Sequence, residues 1–177
     1  MAWSNDKHFR YFYQTLTTGK EIRETMDTVF KLKKMKDYWW CPPFKNTVRM
    51  KNYRKTGPLY VILVFDKRRK LQAHIMWLDA EKTHWPKTDI FYDDEGKKKV
   101  MFQKRVEIVA WCTRSSESGI ASWKEMLKRP GTKKTFVWSK DPLCKKFCHL
   151  IQHIGFKRVY SFHPVKSRRP QLFIHGE

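Results

Sequence analysis

Ser116, Glu117, Ser118, Gly119, Ile120, Ala121 and Ser122 are the residues of this 177-residue chain whose types and placing best suit chemistry. They follow an apolar stretch that ends at Thr113 and they open a helical pattern. A strand that ends, a small polar loop and a helix that begins with few bulky side chains present successive backbone N–H groups. That geometry holds phosphate or pyrophosphate. Gly119 would permit close approach and Ala121 keeps the first turn narrow. A tight β–α turn that simply needs small residues is the alternative.

Other clusters offer less. Cys144 and Cys148, and His149 and His153, are each i, i+4 pairs. The two pairs are offset by five residues and lie on adjacent helix faces, so four ligands do not converge and no metal is expected. Asp89, Asp93, Asp94 and Glu95 before Lys97–Lys99 resemble a nuclease arrangement, but a charged hairpin tip accounts for them. No Gly-x-Ser-x-Gly nucleophile elbow is present. Basic residues interleaved with aromatics are the strongest competing signal: Lys33, Lys34 and Lys36 precede Tyr38-Trp39-Trp40. Arg49, Lys51 and Arg54 flank Tyr53, and Arg168 and Arg169 lie in a late loop. Lysine and arginine neutralise phosphates while aromatics stack on unpaired bases. A solvated basic face beside a buried aromatic–proline loop is the plainer reading.

The elements that would position these residues can be read from periodicity. Phe9, Phe12, Tyr13 and Leu16 fall at i, i+3, i+4, i+7 and predict a first short helix, closed at Gly19. Thr18 to Glu21 is a capping box that predicts a second helix carrying Ile22, Met26, Val29 and Phe30. Leu59–Phe65 and Leu71–Leu78 are strands joined by the polar 66–70. Two shorter strands flank the turn Asp93-Asp-Glu-Gly96. From Arg105 to Thr113 the residues alternate, with Val106, Ile108, Ala110 and Cys112 on one face and Glu107, Val109 and Trp111 on the other. A helix with Ile120, Trp123 and Leu127, a strand at 135–138, a helix from Asp141 to Ile154 and two closing strands complete the order. Antiparallel strands followed by βαβαβ suggest one α/β domain over 1–177, a mixed sheet flanked by helices. Its parts are N-terminal helices and an aromatic–proline loop (1–56), antiparallel strands (57–113) and a βαβαβ half (114–177).

Composition bounds the function. Apolar residues make up 41% and aromatics 15%, too rich for a disordered chain. No apolar run approaches a membrane span and the start lacks the regions of a signal peptide. The four cysteines (41, 112, 144, 148) do not read as a disulfide framework, so a reducing, intracellular setting is expected rather than secretion. Lys and Arg total 38 against 17 Asp and Glu, a net charge of +21. It divides into +8 over 1–56, +3 over 57–113 and +10 over 114–177. Such a field draws in polyanions and says nothing about fold.

The 116–122 stretch resembles the acyl-CoA pyrophosphate loop of GCN5-related N-acetyltransferases, Gln/Arg-x-x-Gly-x-Gly/Ala, which follows that family's fourth strand. The later order of strand, helix, Gly155-Phe156 and strand is similar to the family's second half. The last thirty or so residues, with Ile154-Gly155-Phe156 and Gln171-Leu172-Phe173-Ile174, also resemble acetyltransferase-like internal virion proteins of podophages. The resemblance covers about 58–177. It implies a mostly antiparallel sheet splayed at its fourth and fifth strands, with acetyl-CoA in the gap and transfer of acetyl to an amine by direct attack. Amides of 117–122 would hold the pyrophosphate, and main-chain groups of Trp111, Cys112 and Thr113 the pantetheine. Glu107 would be the base, unless it is a solvent-facing partner of Lys104 or Arg105. Ser116 stands where the family has Gln or Arg, and Ile151 stands near its usual tyrosine, so the general acid is missing.

Two functions of different class follow. One is an acetyl-CoA-dependent N-acetyltransferase-like protein, phage-encoded, acting on an unknown amine with its activity kept, reduced or lost. The other is a non-enzymatic basic virion or nucleic-acid-binding protein that uses the fold as scaffold. The host cytoplasm or the virion interior suits either, with nucleic acid or an acidic protein as partner.

Overall fold

The chain opens as a β-hairpin where the periodicity predicts a helix: β1 is Ala2–Asn5 and β2 is Arg10–Leu16. Asp6 shapes the turn between them, its Oδ1 accepting from the amides of His8 and Phe9 at 2.7 Å each. Such a side-chain-to-backbone bond competes with helix initiation. Tyr, Phe and Thr in β2 are also strand formers. Both faces of this sheet are covered, so aromatics point both ways and the period of two is hidden in the sequence. The computed structural model describes residues 2–33, 58–79, 90–92, 98–100, 105–139, 145–161 and 171–176.

The next helix, α1 (Gly19–Lys33), starts as the capping box requires. The Glu21 amide donates to Thr18 Oγ1 at 3.2 Å, and Glu21 Oε2 accepts from the amides of Thr18 and Thr17 at 2.9 Å each. Then come β3 (Leu59–Phe65), β4 (Leu71–Leu78), β5 (Ile90–Tyr92), β6 (Lys98–Val100) and β7 (Val106–Thr113). After β7 follow α2 (Ser116–Leu127), β8 (Thr135–Ser139), α3 (Lys145–His153), β9 (Lys157–Ser161) and β10 (Gln171–His175). The predicted Asp141 cap of α3 lies outside the described residues.

The strands form one sheet in the order β1-β2-β3-β4-β7-β8-β10-β9-β5-β6. Among the described residues every pairing is antiparallel except β7 with β8. The expected mixed, mostly antiparallel sheet flanked by helices is what the chain builds. β3 is apolar throughout because both its faces are buried: Ile62 and Val64 face one core, Val61 and Leu63 the other. One core packs Trp111, Trp123, Met126, Ile151 and Phe156 over the sheet. The second holds Leu16, Ile22 of α1, Leu59, Met76 and Leu78 on the opposite face. Each such side chain contributes about 1.5–3 kcal/mol when fully buried. Trp123 sits between Trp111 (centroids 5.9 Å apart) and Phe156 (4.9 Å), which ties α2 to β7 and to the end of α3.

Gly155 closes α3 with φ +102, a left-handed cap in which the Phe156 amide donates to Ile151 O at 2.9 Å and that of Gly155 to Gln152 O at 3.1 Å.

Candidate functional site

The parallel contact between β7 and β8 is short. Val106, Glu107 and Ile108 pair with Thr135, Phe136 and Val137, and no further. β7 runs on to Thr113, while β8 continues to Ser139 in register with β10. The two strands therefore part after Ile108 and Val137, and the sheet opens at the one parallel step among the described residues. The chain marks the same point on the other side of β7. Its register with β4 shifts between Met76↔Ala110 and Trp77↔Ile108, leaving Val109 as an extra residue. A bulge of this kind re-aims backbone groups and side chains. It also corrects the predicted alternation: Val106, Ile108 and Trp111 share one core, while Val109 and Ala110 join the other.

Above the opening stands the N-terminus of α2. Ser115, extended at φ −148 and ψ 160, is the N-cap and its Oγ accepts from the Ser118 amide at 3.1 Å. Gly119 N donates to Ser115 O at 3.0 Å and Arg114 N to Gln72 O at 2.9 Å. Thr113 Oγ1 bonds the Ser118 hydroxyl at 2.8 Å, and the Ser115 and Ser118 hydroxyls are 3.0 Å apart. Three hydroxyls thus lock the turn between strand and helix. Among the described residues, the amides of Ser116 and Glu117 are the two of this first turn that donate no hydrogen bond. They point out of a helix N-terminus, where the backbone dipole favours an anion.

Several expectations change here. Gly119 does not open the loop to a ligand: a Cβ at that position would lie 3.1 Å from Leu150 Cδ2 and 3.2 Å from Thr113 Cγ2. Its smallness serves the packing of α2 against β7 and α3. Of the amides expected to hold pyrophosphate, those of Ser118 and Gly119 are taken by the cap, and Ile120, Ala121 and Ser122 lie in the helix. Ser122 Oγ instead accepts from Trp111 Nε1 at 2.9 Å. Glu107 is buried at 2% exposure and not solvent-facing, on the same strand just before the opening. Trp111, Cys112 and Thr113 line up along β7 beyond the last β8 pairing, all fully buried. Ile151 is fully buried in the core and supplies no proton.

Cys112 is disulfide-bonded, which departs from the expectation that the four cysteines form no disulfide framework. Sequence spacing alone does not reveal such a pairing. Among the described residues no group of three or more His, Cys, Asp or Glu could hold a metal ion. His149 and His153 are exposed. Lys33 ends α1, and the other members of the basic clusters (Lys34, Lys36, Arg49, Lys51, Arg54, Arg168, Arg169) lie outside the described residues. Among the described residues no helix is long and apolar enough to cross a membrane. The bulge at Val109 and the cap at Ser115 were missed in the sequence. Ser115 was recoverable, since a serine three residues before Ser118 at a strand end is a standard cap pattern.

No family model matches the chain, and no curated protein matches it. Two solved structures are similar in outline. Arabidopsis thaliana NAA60, in complex with acetyl-CoA, is 10% identical over 93% of this chain and 97% of its own, with a TM-score of 0.45. A candidate acetyltransferase from Acinetobacter baylyi is 12% identical over 93% of this chain and 92% of its own, also at 0.45. A likeness at this level carries no argument about activity.

Proposed function

We propose that the chain is an acetyltransferase-like domain that binds acetyl-CoA where β7 and β8 part. The parting itself carries the reading. An open parallel step leaves backbone of one strand facing a gap, and ligands of α/β folds collect at the carboxyl ends of strands where neighbouring strands diverge. The residues present fit the coenzyme in part. The Ser116 and Glu117 amides at the α2 terminus suit a pyrophosphate, and the β7 stretch 109–113 suits the pantetheine arm. Bound acetyl-CoA would supply an activated thioester. Glu107 is the residue proposed to take the proton of an amine acceptor, because it is the carboxylate of β7 and lies one residue before the last pair with β8.

The cap at Ser115 and the buried Ile151 favour a form of this reading in which the fold persists with its transfer activity reduced or lost. The similarity of the C-terminal thirty or so residues to podophage virion proteins supports a phage setting for either.

Isothermal calorimetry with acetyl-CoA tests the proposal, using Ser116→Pro as the discriminating variant. Proline is well tolerated at the first helical position, where it removes one amide donor without disturbing the helix. The extended Ser115 also suits a following proline. Saturable one-to-one binding that S116P weakens at unchanged thermal stability is the expected result. No heat at millimolar acetyl-CoA, or binding that S116P leaves untouched, overturns it.

A further inference from the structure

Trp3 is the one exposed large hydrophobic side chain among the described residues, with 55% of its surface open. It stands at the rim of a recess of about 320 Å³ whose other walls are Arg10, Phe65 and Arg69. That volume lies at the small end of ligand pockets, roughly 300–1,000 Å³. The four residues meet because of strand register. Trp3 pairs with Phe12, Arg10 pairs with Phe65 on β3 and with Asn5 on β1, and the β3–β4 turn carrying Arg69 begins just past Phe65. Trp3 is braced by Phe12 (centroids 4.9 Å apart) and Phe65 (5.8 Å), and the Arg10 guanidinium lies 5.1 Å from its ring centroid.

We propose that this recess binds single-stranded nucleic acid, with one base stacked on Trp3 and the flanking phosphates on Arg10 and Arg69. The charge around it is one-sided. Lys67, Arg68, Arg69 and Lys70 are all exposed on the β3–β4 turn, and Lys7 is exposed on the neighbouring β1–β2 turn. The acids of both turns are used internally. Asp66 accepts from the Lys70 amide at 2.8 Å and from Gln72 Nε2 at 2.9 Å, and Asp6 accepts from the Tyr11 hydroxyl and the His8 and Phe9 amides. They hold the turns in shape and leave the cations outside. Arg69 adopts φ +62, a conformation uncommon outside glycine, and the turn nevertheless places an arginine there against the recess.

An aromatic platform flanked by arginines reads the π-face of an unpaired base and its backbone, which a duplex keeps stacked away. The chain's net charge of +21 supplies the long-range attraction for such a strand. The recess lies on β1, β2, β3 and the β3–β4 turn, and β4 stands between β3 and β7. It involves none of the basic clusters singled out from the sequence.

Fluorescence anisotropy with a labelled thymidine oligonucleotide and the full chain tests this. Replacement of Trp3 by alanine should weaken binding roughly tenfold, the usual loss of one stacked base. Trp3→Phe, which keeps a stacking face, should recover most of it. Arg10→Gln with Arg69→Asn should lower the slope of log affinity against log salt by about one to two. Asparagine is chosen because it tolerates positive φ. Binding to a duplex of the same length and to acetyl-CoA should not change with W3A, and thymidine 5′-phosphate should compete weakly. The proposal is overturned if W3A binds the strand as the parent does, or if W3A loses duplex and single-strand affinity alike. It is equally overturned if polyglutamate shows the same dependence on Trp3, which would make the partner an acidic protein, or if the mononucleotide binds as tightly as the strand. Should W3A fail to fold, R69N on its exposed turn decides the same point through the salt slope.

Discussion

Replacing His74 with leucine should remove a pH dependence from the stability of this protein. His74 lies on β4, between Leu63 of β3 and Cys112 of β7 in register, and is fully buried. Neither ring nitrogen has a hydrogen-bond partner among the described residues. Burial therefore pushes its pKa from 6.5 down to about 3. The folded chain keeps this imidazole neutral where the unfolded chain protonates it, so the unfolded state binds the extra proton as pH falls below about 6.5. Stability is intact above that pH and declines towards pH 3, at up to about 1.4 kcal/mol per pH unit from this group. Between about pH 7.5 and pH 4.5 the loss is about 3 kcal/mol, in order of magnitude. His74→Leu fills a similar volume and strands no polar atom, so it should be at least as stable at neutral pH. Urea unfolding followed by tryptophan fluorescence at both pH values gives the comparison. Carboxylates titrate in both proteins, so the informative quantity is the difference between parent and variant. Parallel losses, within about 0.5 kcal/mol, would refute the assignment of a neutral, unsatisfied imidazole to this site.

Four further outcomes follow from the contacts above. Gly119→Ala gains about 1 kcal/mol of helix propensity but forces a Cβ against Thr113, whose Oγ1 is pinned by Ser115 and Ser118, so a net loss of about 0.5–2 kcal/mol is expected in a denaturant melt. Adding Leu150→Ala to that variant should show favourable coupling in a double-mutant cycle, because one clashing partner is gone. Ser115→Ala should cost about 1 kcal/mol through loss of the cap while leaving acetyl-CoA affinity equal or higher by calorimetry, since it frees the Ser118 amide. Arg105→Ala should cost about 1–3 kcal/mol and raise amide exchange in β10, because Nη1 donates to His175 O at 3.1 Å and Gly176 O at 2.8 Å.

The sequence revealed those features that depend on local spacing. The α1 capping box, the paired strands β3 and β4, the helix after Ser115 and the Gly155 closure all have short-range signatures, and all are present. Phe9, Phe12, Tyr13 and Leu16 predict a helix where a strand forms because they satisfy two periods at once when both faces of a strand are covered. The choice between them fell to Asp6 and the turn it shapes. The bulge at Val109 is set by what β4 and β8 do beside β7, and so it shifts the phase of Ala110 and Cys112 without any local mark. Gly119 shows the same limit from another side: a small residue at a helix start fits a ligand or a neighbour, and only the positions of Thr113 and Leu150 decide between them.

The strand order also bears on self-association. The outermost strands are β1, four residues long, and β6, which reads Lys98-Lys99-Val100. Open sheet borders invite further strands from other copies, and brevity and repeated lysine are two established deterrents. A second copy docking along β6 would set like charges side by side. A ten-stranded sheet with such borders resists growing into fibrils even at high protein concentration, and salt that screens the lysines should be what weakens that resistance.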